Sequence, residues 1–196
     1  MTTNKTTPQI QIPPVSKWTF GEILHISEGN KKYIPISFDG GDLVLFLSQC
    51  FAPFAISQYD TKDKRTLVSQ LQPEWSSCLD CMTDCLIHEV SEKSELFFGR
   101  VLDQDTLRAM YKNLVRQDEK FRYPSTLSAK VNLIGVNKTR FWDEKKARID
   151  TPTEFQGMHY NALVHIKGIY IQENSWGIFA NITDCQVFTT TVNCPF

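Results

Sequence analysis

The sequence predicts a mainly β domain of the α+β class, and three observations lead there. Two long runs alternate apolar and polar residues around a turn at 160–188. A hairpin signal sits at 33–48, and only the middle of the chain switches to helical spacing.

The closing stretch, Tyr160 to Phe188, organises the rest. Before a Glu173-Asn174-Ser175 turn, Ala162, Val164, Ile166 and Tyr170 share one face by period two, with His165 and Lys167 on the other. After it, Trp176, Ile178, Ala180 and Ile182 alternate with Gly177, Phe179, Asn181 and Thr183. Gly168 and Gly177 fall inside the strands, where a missing side chain marks a bulge or a close backbone approach. Strands of about twelve residues are long against a usual five or six. They suit a small closed barrel, in which bulges let one strand serve two sheets. An ordinary sandwich hairpin fits this stretch equally.

In chain order, Tyr33 to Phe38 reads as a strand, Asp39-Gly40-Gly41-Asp42 as a turn, and Leu43 to Ser48 as the returning strand. Cys50 to Ile56 continues extended, with Pro53 marking an edge or a bend. Gln58 to Lys64 is a polar loop and Arg65 to Gln72 a third strand. Pro73 then opens an amphipathic helix over about 74–92, with Leu79, Met82, Leu86 and Val90 as its core stripe. Asp103 can cap a second helix, with Leu107, Met110, Leu114 and Val115 inward and Arg108, Lys112 and Arg116 on its other side. Tyr123-Pro124 closes it. Thr126 to Ile134, which carries Lys130, is a further strand, and Lys138 to Ile149 a loop-and-strand segment.

Cys78, Cys81, Cys85 and His88 share one face of the first helix and suggest a metal site. Four ligands strung along roughly 15 Å of one helix could not close around a single ion without breaking it. Buried thiols packing as small apolar groups are expected instead, with no metal and no cofactor.

Composition sets the outer bounds. A chain of 196 residues suits one domain and can bury roughly 70% of its unfolded surface. It has no run of eighteen apolar residues, so no membrane partner is expected. The start is polar and Pro-rich, unlike a secretory leader, so the six cysteines are expected as thiols. Residues 1–107 carry a net charge of −5, residues 108–148 of +7, and the remainder of −3. Such asymmetry points to an anionic partner for the middle segment, or to a solvated face. No Gly-rich phosphate loop, nucleophile elbow or metal-spaced His/carboxylate cluster occurs, so enzymatic activity is not expected.

The chemistry concentrates in the basic segment. Phe141 and Trp142 sit among Lys138, Arg140, Lys145, Lys146 and Arg148, with Lys112, Arg116, Lys120, Arg122 and Tyr123 upstream. Cations that track phosphates, together with aromatic faces on which bases stack, are what single-stranded nucleic acid requires. Lys130 and Lys167, on flanking strands, complete the candidate binding set. Composition alone slightly favours a plainer account, in which Phe141 and Trp142 plug the core and the lysines solvate a loop.

The order of landmarks adds to this. Tyr33-Ile34-Pro35-Ile36 comes first, then Ala52-Pro53-Phe54-Ala55-Ile56-Ser57-Gln58-Tyr59 and Leu96-Phe97-Phe98-Gly99-Arg100. Tyr123-Pro124-Ser125-Thr126-Leu127, Arg140-Phe141-Trp142-Asp143, Trp176-Gly177-Ile178 and Asp184-Cys185-Gln186-Val187 follow. Over residues 18–188 this order resembles the phage T7-like single-stranded DNA-binding proteins, as encoded by nucleocytoplasmic large DNA viruses. The resemblance implies an OB-like antiparallel barrel with two inserted helices, between a flexible Pro-rich arm (1–17) and a tail (189–196). It implies sequence-tolerant binding of single-stranded DNA in viral replication, repair or recombination, inside the host cytoplasm or nucleus, with a homodimer and replication proteins as partners. Members of the phage branch end in an acidic tail with a terminal aromatic residue. Here Phe196 is present and the acidic run is not. The competing class is a virion structural protein, a β-sandwich minor capsid component whose arm drapes over a neighbour.

Overall fold

The computed structural model describes residues 12–26, 31–57, 63–118, 120, 122–152 and 154–188. A 3-10 turn (Val15–Lys17) leads into β1 (Trp18–Phe20) and β2 (Leu24–Ile26). The hairpin of β3 (Lys31–Phe38) and β4 (Gly41–Phe51) follows, then β5 (Lys64–Gln70). Three helices come next: α1 (Pro73–Glu92), α2 (Ser94–Phe98) and α3 (Gln104–Met110). Two short strands, β6 (Tyr111–Lys112) and β7 (Val115–Arg116), precede β8 (Thr126–Asn132), β9 (Arg140–Trp142) and β10 (Arg148–Ile149). The long pair β11 (His159–Gln172) and β12 (Ser175–Phe188) closes the chain.

Strand pairing runs β11–β4–β5–β8–β12 and returns to β11, so five strands form a ring. Its seams are antiparallel except one: β12 runs parallel to β8, with Asn181 opposite Lys130. The ring therefore departs from the wholly antiparallel pattern expected. Alternation sends Leu43, Leu45 and Leu47 of β4, Leu67 of β5, Leu127, Ala129 and Val131 of β8, and Ala162, Val164 and Ile166 of β11 into one buried cluster. Leu79, Met82, Leu86, Ile87 and Val90 of α1 join the same cluster. Each of these Leu, Ile, Val and Met side chains stabilises the fold by about 1.5–3 kcal/mol through burial. Inside the core, the hydroxyls of Ser69 and Tyr160 satisfy each other.

Local chemistry sets the turns. Asp39 and Gly40 both adopt positive φ, 49° and 75°, the pattern of a two-residue turn matched to the strand twist. Gln49, at φ 54°, bulges β4 before Pro53 ends it, so the two extended pieces expected at 43–56 form one bent strand ending at Phe51. β11 shifts register between Leu163 and Val164 and again between Ile166 and Gly168. At Gly168 a methyl group would collide with the Ile34 carbonyl oxygen and the Tyr33 ring, so the close approach of β3 requires glycine.

Further expectations need correction. Tyr170 does not share the core face with Ala162, because the shift at Gly168 reverses the phase and sends Ile169 and Ile171 inward. The second helix does not run to Tyr123. It ends at Met110, because Tyr111 pairs with β12 and packs its ring 4.7 Å from that of Trp176. Burying that aromatic pair outweighs helix propensity across 111–116, and Lys112 and Arg116 become strand residues. Leu96 to Phe98 form a short helix of their own, so the insertion holds three helices and not two.

The thiols of α1 are not buried. Cys81 and Cys85 are exposed and Cys78 is partly covered, because the inward stripe is already filled by Leu79, Met82 and Leu86. Cys50 and Cys185 are the buried pair, free among the described residues. Among the described residues no three His, Cys, Asp or Glu side chains gather as metal ligands, and no helix is long and apolar enough to cross a membrane. Burial pushes the Cys50 thiol up to about 12, and burial, helped by Cys50 and Asp184, raises that of Cys185 well above its ordinary value. Alkylation of native protein should therefore label Cys81 first. Cys85 should follow, slowed because partial desolvation and the neighbouring Cys81 raise its pKa. Cys50 and Cys185 should react only in denaturant; peptide mass mapping reads this order, and equal labelling of all four would contradict it.

Candidate nucleic-acid interface

The basic aromatic segment divides by strand alternation. On β9, Phe141 points inward at 1% exposure with its ring 6.0 Å from that of Phe155, while Arg140 and Trp142 face outward. β9 lies parallel to β12, with Arg140 opposite Asp184 and Trp142 opposite Gln186. That register places one carboxylate between two donors. The Arg140 guanidinium donates to Asp184 at 2.7 Å and the Trp142 indole N–H donates at 3.0 Å. Burial alone would raise the Asp184 pKa, but hydrogen bonds from Arg140, Trp142 and Thr183, with the Arg140 charge, outweigh it and hold the carboxyl below its usual range. Asp184 thus fixes the edge of the indole and the heading of the guanidinium.

Beyond Trp142 the chain turns back into β10. Asp143 accepts from the Ala147 N–H at 2.8 Å, and Lys146 adopts φ 64° in the turn. Lys146 consequently borders a groove of about 360 Å³ on the outside of the ring, lined by Trp142, Phe46, Leu163, Asn161, Asp184 and Gln186 among others. Cross-strand register assembles it, with Phe46 opposite Leu163 and Leu163 opposite Asp184. Phe46 is 51% exposed, a costly aromatic on an outer face.

Further along the outer face of β11 come His165 and Lys167, so Asn161 to Lys167 forms a strip of about 20 Å at ~3.4 Å per residue. Burial lowers the His165 pKa, and the Lys167 charge adds to this against Asp42, whose carboxylate lies 3.4 Å away. Beside the strip, the Lys64 ammonium sits 3.9 Å over the Phe179 ring, and Lys130 donates to Thr66 at 2.7 Å. Desolvation lowers the Lys64 pKa first, and the charges of Lys167 and Lys130 lower it further. The charges of Lys167 and Lys130 thus weigh against the Lys64 ammonium, a cost that an anion would relieve.

The structure gathers part of the candidate set expected from the sequence. Trp142 and Lys146 line the groove and Arg140 pairs with Asp184, which also lines it, while Lys130 and Lys167 belong to the lysine cluster on the same outer face. Lys145 and Arg148 lie in the adjoining turn and on β10. The rest are dispersed. Lys112 lies by the β11–β12 turn with Lys31, and Lys138 is exposed in the loop before β9. Arg116 pairs with Thr126 at the far end of β8, and Lys120 is exposed nearby in sequence. Arg122 is engaged by Asp118 at 3.2 Å, and with Tyr123 it lines a separate concavity beside the start of α1. Sequence reasoning missed Phe46, Asn161, Leu163, Gln186, Lys64 and Phe179. One signal was available: Leu43, Leu45 and Leu47 already supply the core face, so the intervening Val44 and Phe46 must be apolar outward.

Comparison with known proteins gives a likeness of chain path. The chain is similar to the single-stranded DNA-binding protein from bacteriophage Enc34 in complex with ssDNA, at 8% identity and a TM-score of 0.45, covering 78% of this chain and 88% of that one. It is also similar to a C-terminal truncation of the same phage protein, at 9% identity and a TM-score of 0.48, covering 86% and 95%. No family model and no curated protein matches the chain.

Two outcomes follow from the two faces of β9 and from Asp184. Phe141→Ala should lower folding stability by about 3–5 kcal/mol. Trp142→Ala should lower it less, by about 1.5–3 kcal/mol, for one lost hydrogen bond to an ionised carboxylate, as read by chemical denaturation. The depressed Asp184 pKa contributes stability that is present above the unfolded value of about 3.9 and lost as pH falls through the folded value. Wild type should therefore melt above Asp184→Asn at neutral pH, and the gap should close on acidification below about pH 4; a gap independent of pH would remove the carboxylate from this role.

Proposed function

We propose that this chain binds single-stranded DNA without sequence preference, on the outer face of an OB-type barrel, and acts on exposed template during replication, repair or recombination. The observation that carries the reading is the outward side of the β11–β12 pair. There an indole held at its edge by Asp184 shares one face with Arg140, Lys146 and Lys64, whose charge Lys130 and Lys167 oppose. The aromatic groups offer stacking surfaces that every base can use, worth about 1–3 kcal/mol each. The cations neutralise phosphates and release counterions. Five strands closed into a ring, with binding residues on the outside and a filled interior, suit the OB architecture. The reading is one of binding and not of catalysis, with replication proteins and a second copy of the chain as further partners.

Oligothymidylate titrated at several salt concentrations tests it. With about four to six phosphates contacted, the log–log slope should lie near −3 to −4, at roughly 0.7 per phosphate on single strands. Duplex of the same length should bind more weakly. A slope near zero, or equal affinity for duplex, would turn the reading toward a virion structural protein.

A further inference from the structure

Phe46 is the part of the outer face that folding leaves unexplained, since at 51% exposure it contributes little burial. We propose that the groove between Phe46 and Trp142 seats one unpaired nucleobase, whose Watson–Crick edge meets the carboxamides of Asn161 and Gln186. This rests on the single-strand reading above and adds how a base, as distinct from a phosphate, is held. The groove's volume of about 360 Å³ falls at the low end of ligand clefts, roughly 300–1,000 Å³. Its lining is mostly apolar and includes the Asp184 carboxylate, which disfavours phosphate at that spot.

Hydrogen-bond accounting defines what the carboxamides present. Gln186 Nε2 donates to the Asp143 and Glu144 carbonyls at 3.3 and 3.5 Å, which engages both of its N–H groups. Asn161 Oδ1 accepts from the Gln49 N–H at 2.9 Å, and Asn161 Nδ2 donates to Gln186 Oε1 at 3.5 Å. Among the described residues, one N–H of Asn161 and one lone pair of Gln186 Oε1 remain, a donor beside an acceptor. Every base carries a neighbouring acceptor and donor on its pairing edge: thymine O4 and N3–H, guanine O6 and N1–H, adenine N1 and N6–H, cytosine N3 and N4–H. Turned onto the appropriate face, each base sets its acceptor against the Asn161 N–H and its donor against Gln186 Oε1, so no base is preferred. In a duplex those atoms are already engaged, so only an unpaired base can enter.

Three probes of about ten nucleotides test this on the full chain: oligothymidylate, its abasic counterpart, and its N3-methylthymine counterpart. Oligothymidylate should bind at least about fivefold more tightly than the abasic strand, the lower bound for one stacked base. The N3-methyl strand keeps its stacking rings, loses the edge donor, and should bind more weakly than oligothymidylate. Phe46→Ala should shrink the preference over the abasic strand at least about fivefold with melting lowered only slightly, because Phe46 is half exposed. Equal binding of N3-methyl and unmodified strands would overturn the edge contact. Equal binding of abasic and unmodified strands would overturn the base site while leaving strand binding intact, and absence of binding to all three would overturn both.

Discussion

The pairing of β11 with β12 is the constraint on which the rest of the structure depends. Each strand has fourteen residues, and every other strand of the ring attaches to one of these two or to a neighbour of one. β3 and β4 share one edge of β11, which a straight strand could not offer to both, and the shift at Gly168 lies where the edge passes from one to the other. β6, β8 and β9 lie parallel to β12 at successive positions along it. Bulges supply the curvature that lets so long a pair close on itself. They also reset which residues face outward, so the same irregularities that close the ring determine the surface.

That surface follows from packing economy as much as from charge. The inward stripe of β4, β8 and β11 fills the ring, so an apolar residue on the opposite side of the same strand cannot be buried there. Phe46 and Leu163 are such residues, brought opposite each other by register, and with Trp142 they make an apolar groove among cations. Asp184 is the electrostatic counterpart. A single partly buried carboxylate anchors two side chains of β9 from the neighbouring strand, and those donors in turn keep it ionised.

Much of the fold is legible in the sequence. The Asp39-Gly40 turn, the Pro73 helix start, the Asp103 cap and the closing hairpin are written in local chemistry, and each forms at or within a residue or two of its expected place. The basic aromatic segment was likewise legible as the place where binding chemistry gathers, because residue types concentrated over a short span survive any folding.

Tertiary structure decided what depends on neighbours distant in sequence. Whether Phe141 or Trp142 faced the core could not be read from two adjacent aromatics, because period two fixes only that they oppose each other; β12 and Phe155 chose the side. Helix α3 ended early because Tyr111 gained more by stacking on Trp176, far along the chain, than by a further helical turn. The thiols of α1 stayed outside because other residues of the same helix already filled the stripe toward the core. Phe46, Leu163 and Asp184 are separated by most of the chain, and only register across three strands makes them one site. The sequence by itself determined which elements form and which residue types carry the chemistry, since those depend on interactions within a few residues. Which faces meet, and so where the groove lies, was decided by long-range pairing that no local pattern encodes.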